Sequence, residues 1–111
     1  MGKSIKLNYK DKQYLLEFDR DSVKIAERRG LRIEQLFESP AIQMPLFFQC
    51  AFIKHHKFLP VDVIDNIYDE VKDVSDLIPK LVECYNEPLE ALLGVGENAN
   101  AGKKAVWEAN F

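Results

Sequence analysis

The sequence lacks most of the features with which a protein builds a chemical site or reaches a membrane. Its two cysteines, Cys50 and Cys84, each lie inside an apolar helical pattern, which predicts buried free thiols and no disulfide framework. No apolar run approaches the roughly 20 residues that span a bilayer. The first residues lack the apolar segment of a signal peptide, and Lys6 stands where a myristoylation signal has a small residue. We therefore expect a protein of the cytoplasm with no membrane partner.

Motifs for catalysis, cofactors and metals are missing as well. The chain has no Gly-rich phosphate loop, no nucleophile elbow and no paired Cys/His arrangement. His55 and His56 follow Cys50 at a spacing that does not converge on one helix face, and zinc needs four convergent ligands. The acidic stretch 62–76 lacks the glycine and the final glutamate of a calcium loop, so it is interpreted as a solvated helix face. We expect no enzyme, no cofactor and no metal.

The charge is distributed unevenly along the chain. Residues 1–60 hold 11 Lys and Arg against 7 Asp and Glu, whereas residues 61–111 hold 4 against 11, and the total is −3. The acidic total argues against nucleic acid as a partner, because phosphate contacts need a basic face. Two interpretations stay open: the halves neutralise each other inside the fold, or they pair head to tail with another copy or with a charged partner.

What is present is typical of one globular domain with mixed secondary structure. Apolar residues make up 47% and charged residues 30% of 111 positions. Two segments alternate with period two around a polar turn at 10–12, which predicts a β-hairpin with one apolar face. That face is formed by Ile5, Leu7, Tyr9, Tyr14, Leu16 and Phe18.

Helical patterns follow the hairpin. Asp19, Asp21 or Ser22 can cap a first helix, and Gly30 is a stop signal. Ser39-Pro40 opens another, but Pro45 interrupts it and places the start of the regular helix nearer Met44. Amphipathic patterns continue through 61–93, and Pro88 is expected to kink or split the last helix. The predicted fold is α+β: an N-terminal β-hairpin, a bundle of four to five helices and a C-terminal strand-like tail.

The most apolar segment is LFFQCAFI, residues 46–53. A helix that is apolar on nearly all sides is buried on nearly all sides. Its phenylalanines either belong entirely to the core or contribute apolar surface to a partner. We take Phe47, Phe48 and Phe52 as candidate partner-binding residues.

The C-terminal residues AVWEANF also alternate. Ala105, Trp107, Ala109 and Phe111 share one strand face, and Val106, Glu108 and Asn110 share the other. The chain is thus interpreted as a domain over 1–93, a flexible linker over 94–104 and a strand-like tail over 105–111. The tail either finishes the fold of its own chain or is donated to a neighbour, which makes Val106, Trp107 and Phe111 candidate partner-binding residues.

Several stretches together resemble a known family. IKLNYKDKQYLLEFDRDSVKIAE, then YNEPLEALL, then a Gly/Asn linker and WEANF are similar in order to small tail assembly chaperones of long-tailed phages and prophages of Gram-positive bacteria. The most specific local matches are Tyr85-Asn86-Glu87-Pro88 and Trp107-Glu108-Ala109-Asn110-Phe111.

The resemblance implies a viral protein without catalytic activity in the host bacterial cytoplasm. Such chaperones bind the tape-measure protein, a long helical rod, and keep it soluble until tail-tube subunits polymerise around it. They tend to oligomerise, and many are made in two lengths by a ribosomal frameshift. Two alternatives are a structural minor tail or head–tail connector component, and a small regulatory adaptor that binds a folded host protein.

Overall fold

The computed structural model describes residues 3–93 and 108–110 and places an antiparallel β-hairpin before four α-helices. This confirms the predicted α+β class. The elements are β1 (Ser4–Tyr9), β2 (Lys12–Glu17), α1 (Arg20–Arg28), α2 (Pro40–Cys50), α3 (Val61–Glu70) and α4 (Val74–Leu93), with a 3-10 turn (Ile33–Gln35) before α2. The predicted linker lies outside the described residues, as do Val106, Trp107 and Phe111 of the tail. Glu108–Asn110 are exposed and carry no regular secondary structure.

The hairpin closes through a two-residue loop. Tyr9 pairs with Lys12, so Lys10 and Asp11 form the turn, with φ of 49° and 66°. Positive φ at both central positions is the type I′ geometry, whose twist matches that of the strands it joins. The apolar alternation holds on both strands, since β2 buries Tyr14 and Leu16 while β1 keeps its apolar side chains half-buried.

Helix α1 has well-defined signals at both ends. The Asp19 carboxylate accepts from the Ser22 backbone N–H at 2.8 Å while the Ser22 hydroxyl accepts from the Asp19 N–H at 2.8 Å, a reciprocal capping box. At the other end Gly30 adopts φ of 102°, and Leu31 donates back to the Ala26 carbonyl at 3.0 Å. This is a Schellman ending, which turns the chain so that Leu31 enters the core.

The prolines disturb the helices less than expected. Helix α2 begins at Pro40, not near Met44, so the predicted start is wrong. Pro45 removes only the hydrogen bond to the carbonyl of Ala41, and Ala41 is exposed, so water can replace the missing donor. Helix α4 runs as one element across Pro88 and is not split there.

The core is an aromatic cluster built around α2. The Phe47 ring stacks on Phe18 at 5.4 Å between centroids and meets Tyr85 of α4 edge-on at 5.7 Å. Phe48 packs against Phe52 and against Tyr68 of α3, each at 5.1 Å. Hairpin, α1, α3 and α4 therefore all converge on one helix. Both cysteines are free and buried as predicted, and burial raises the pKa of the Cys50 thiol to about 11.

Candidate protein-binding surfaces

The described residues offer little to a metal ion or a small ligand. In the ranges 3–93 and 108–110, no group of three or more His, Cys, Asp or Glu side chains is placed to hold a metal. Nor does this part of the chain contain a helix both long and apolar enough to cross a membrane.

A surface hollow of about 610 Å³ lies between α1, the 3-10 turn and α4. Its rim carries charges of both signs, unlike a small-molecule site: Lys24, Glu27, Arg28, Arg32 and Glu34.

The three phenylalanines predicted to bind a partner lie inside the core. Phe47 and Phe48 are fully buried and Phe52 is 1% exposed. In the folded chain none of them offers contact area to another protein, although Phe52 lines the floor of a groove described below. The other three candidates, Val106, Trp107 and Phe111, lie outside the described residues. Apolar surface for a partner must therefore come from other positions of the described fold.

The exposed apolar side chains are ones that the sequence did not single out. Phe58 is 91% exposed and Phe37 71%, and Ile42 and Val61 are also exposed. Phe58 lies in the segment KHHKFLP, residues 54–60, whose sequence shows no helical or strand periodicity. A lone aromatic in a loop gives no periodic signal, so its exposure becomes visible only in three dimensions.

Phe58 borders an apolar groove, here called the Phe58 groove. It encloses about 260 Å³ between the C-terminal ends of α1 and α2 and the loop that leads into α3. Its lining is mostly apolar: Ile25, Phe52, Ile53, Phe58, Leu59, Pro60, Val61 and Ile64. Arg29 and Lys57 also line it, so the apolar floor has a basic rim.

A set of hydrogen bonds fastens the loop before Phe58 to the outer edge of β2. The Glu17 backbone N–H donates to the Ala51 carbonyl at 3.1 Å, and the Leu15 N–H donates to His56 Nε2 at 3.0 Å. The Glu17 carboxylate accepts from Lys54 Nζ at 2.5 Å and from His55 Nε2 at 2.8 Å. We call this set the β2 clamp. It occupies the outer edge of β2 at Leu15 and Glu17 and fixes the base of the Phe58 loop.

His56 makes the β2 clamp sensitive to pH. Its Nε2 accepts from Leu15, so the ring is neutral, and burial together with nearby His55 lowers the pKa of His56 below its ordinary 6.5. The stability from the neutral ring is fully present above pH 6.5 and is lost as the pH falls through the lowered folded-state pKa. We expect the free energy of unfolding, measured in urea, to fall by about 1 kcal/mol between pH 7.5 and pH 5. This is the typical net contribution of one hydrogen bond.

The matched control for this prediction is His56→Gln, whose amide oxygen can accept from Leu15 without titrating. The free energy of unfolding of His56→Gln should change little across the same pH range. If it falls with pH as steeply as that of the wild type, the assignment of the titration to His56 is wrong.

The outer edge of β1, by contrast, is open. Glu17 and Leu15 direct their N–H groups away from β1, so their cross-strand neighbours Ser4 and Lys6 sit in non-hydrogen-bonded pairs of the ladder. The backbone groups of Ser4, Lys6 and Asn8 therefore point outward. Among the described residues none of these three positions has a hydrogen-bond partner on that side.

Beside this open edge runs a second groove, here called the edge groove. It holds about 470 Å³ between β1, the end of α3 and the start of α4. Its apolar lining is Ile5, Leu7, Tyr9, Ile67, Val71 and Leu77, and its polar lining includes Lys6, Asn8, Glu70 and Lys72. The Tyr9 hydroxyl donates to the Glu70 carboxylate across one end. The half-buried apolar face of β1 is thus accessible next to unpaired backbone.

Comparison with protein families adds a classification. The model of one family, described as a domain of unknown function, DUF5055, matches residues 1–111. The chain belongs to the DUF5055 family. No curated protein and no solved structure matches it. What this DUF5055 chain does must therefore be inferred from its own surfaces.

In the part of this DUF5055 chain that the structure describes, side-chain ion pairs do not link the two halves. The described residues form two ion pairs, Lys54–Glu17 and His55–Glu17, and both lie within residues 1–60. No described Lys or Arg side-chain nitrogen of residues 1–60 lies within 4.0 Å of a carboxylate from residues 61–93 or 108–110, although the Lys3 backbone N–H donates to the Glu87 carboxylate at 3.3 Å. Among the described residues, no side-chain ion pair therefore joins the basic half to the acidic half, which favours the interpretation that their charges are available to a charged partner or to another copy.

Proposed function

We propose that the protein is a non-enzymatic tail assembly chaperone of a long-tailed phage or prophage. It binds the tape-measure protein in the host cytoplasm and self-associates during tail assembly, with tail-tube subunits as a further partner. The resemblance of the sequence to such chaperones supports the proposal. The observation that carries it is the Phe58 groove, which combines an exposed aromatic with an apolar floor and a basic rim.

The shape of the Phe58 groove suits a side-chain anchor from a helical partner. Its volume of about 260 Å³ is smaller than the roughly 300–1,000 Å³ of small-molecule sites. Recognition of an amphipathic helix needs a groove that receives apolar residues spaced three and four apart. Arg29 and Lys57 at the rim would meet acidic residues that flank such an apolar stripe. An exposed Phe58 at the mouth supplies the large aromatic contact typical of binding hot spots.

The experiment is co-expression with the tape-measure gene encoded nearby, followed by measurement of soluble tape-measure protein. Wild type should raise the soluble amount, and Phe58→Asp should reduce the gain at least about fivefold, which corresponds to roughly 1 kcal/mol of lost binding. Phe37→Asp is the matched control, since it places the same charge on another exposed phenylalanine outside the groove. It should behave as wild type.

Three results would contradict the proposal. If the tape-measure protein is no more soluble with the wild-type chain than without it, the chaperone function is wrong. If Phe37→Asp is as damaging as Phe58→Asp, the Phe58 groove is not the binding site. If mass spectrometry finds the protein in finished particles, a structural minor tail or connector role replaces that of a chaperone.

A further inference from the structure

We propose that the open edge of β1 and the edge groove accept residues 105–111 of a second copy of the chain as an added strand. This inference rests only on the self-association in the proposed function and not on tape-measure binding. It specifies which surface joins the copies and which segment is donated.

The two edges of the hairpin differ in a way that selects the site. The β2 clamp occupies the outer edge of β2, whereas Ser4, Lys6 and Asn8 leave the outer edge of β1 unpaired among the described residues. A two-stranded sheet with an open edge is only marginally stable, and an open edge is a template for another strand. Addition of a strand at β1 is thus the one extension of this hairpin that displaces no described contact.

The groove and the segment match in their apolar faces. Ile5, Leu7 and Tyr9 of β1 are half-buried and border the edge groove. A strand added beside them continues this face with its own apolar residues. In the segment 105–111, alternation places Trp107 and Phe111 on one face. Those two rings would cover the face that β1 leaves partly open.

The charges match as well. When Trp107 faces the groove, Glu108 lies on the opposite face, which is also the face of Lys6 on β1. Opposite charges on neighbouring strands stabilise the pairing by about 0.2–1 kcal/mol. Lys72 at the rim adds a second positive charge near the incoming strand.

A second copy is the occupant that agrees with the described residues. Residues 108–110 are exposed and outside any strand in the single chain, and the described residues provide no hydrogen-bond partner for its β1 edge. The 11 residues 94–104 can extend to about 40 Å at most, enough to carry the tail from the end of α4 to a neighbouring molecule. The basic and acidic halves, which share no side-chain ion pair among the described residues, would further attract copies to each other.

The test measures molar mass by light scattering across protein concentrations from about 1 to 100 µM. Wild type should be dimeric or larger, and the double variant Trp107→Ser with Phe111→Ser should raise the dissociation constant at least about tenfold, or 1.4 kcal/mol. Asn8→Pro should do the same, because proline removes an outward N–H of β1 without removing a β1–β2 hydrogen bond.

The matched control is Gln13→Pro. Gln13 is the cross-strand neighbour of Asn8, so the same proline falls in the same pair but on the opposite edge of the hairpin. Its molar mass should equal that of wild type. The tail double variant alters no residue of the described fold, so it decides the question even if the proline variants unfold.

The inference is overturned if wild type is monomeric throughout, or if the tail variant associates as well as wild type. It is also overturned if the tail variant only lowers the melting temperature at unchanged mass, which would mean that the tail docks on its own chain. These masses are measured without the tape-measure protein. A failure here is therefore separate from a failure of the chaperone proposal.

Discussion

Phe47→Ala is expected to destabilise the fold by about 3–5 kcal/mol, the range for truncation of a fully buried phenylalanine. The ring is completely buried and joins Phe18 of the hairpin to Tyr85 of α4, so its removal leaves a cavity that three elements border. Domains of this size are stable by roughly 5–15 kcal/mol, so the loss is a large share of the total. The measurement is equilibrium unfolding in urea at pH 7, with melting temperature as a second readout.

Phe58→Ala provides the comparison, because it is the same substitution at a ring that is 91% exposed. It should change stability by less than about 0.5 kcal/mol. The pair also separates the two interpretations of the apolar segment 46–53. If Phe47→Ala leaves stability unchanged but weakens association with a partner, Phe47 is an interface residue and its assignment to the core is wrong.

The sequence predicted the local structure well where local physics decides it. Period-two alternation located both strands. The capping residues Asp19 and Ser22 and the stop signal Gly30 indicated the two ends of α1. The start of α2 lies at the Ser39-Pro40 signal. Each of these signals acts over a few residues, through backbone hydrogen bonds or allowed φ values. Context overrode the expected effects of two prolines: α4 is not split at Pro88, and Pro45 does not delay the start of α2, because the carbonyl that it orphans lies in an exposed first turn.

The sites were harder to predict because they depend on which surfaces remain after packing. Phe47 and Phe58 are both phenylalanines next to apolar residues, yet one is fully buried and the other almost fully exposed. Periodicity alone does not distinguish a core ring from an interface ring, since both need apolar side chains. His56 accepts a hydrogen bond from Leu15, which lies 41 positions away in the sequence, and no short motif predicts such a contact.

The open edge of β1 shows how sequence and structure complete each other. Alternation in 105–111 predicts a strand that finishes the fold of its own chain or is donated to a neighbour, without indicating which strand it would pair with. The β2 clamp answers half of that question, because it leaves β1 as the unpaired side. The exposure of residues 108–110 in the single chain then favours a second copy as the donor, a feature that appears only in the folded structure.

Glu17→Ala is expected to cost about 1–3 kcal/mol at pH 7. The carboxylate lies at the end of β2, is mostly buried, and accepts from both Lys54 and His55. Its removal frees two donors, but both are about one-third exposed and can be hydrated, which keeps the loss below that of a fully buried pair. Because the β2 clamp supports the loop before Phe58, the variant should also weaken the tape-measure binding that we propose for the Phe58 groove, although Glu17 lies outside that groove.

The dependence on pH identifies the ionised carboxylate as the source of this stability. Lys54, and after it His55, lowers the pKa of Glu17 from its ordinary 4.5. The stabilisation is therefore fully present above pH 4.5 and is lost as the pH falls through the folded-state pKa. The free energies of unfolding of wild type and Glu17→Ala should differ at pH 7 and converge towards pH 3. Lys54→Ala should show part of the same loss of stability at pH 7. A gap that stays constant down to pH 3 would show that packing by the side chain, and not its charge, holds the loop to β2.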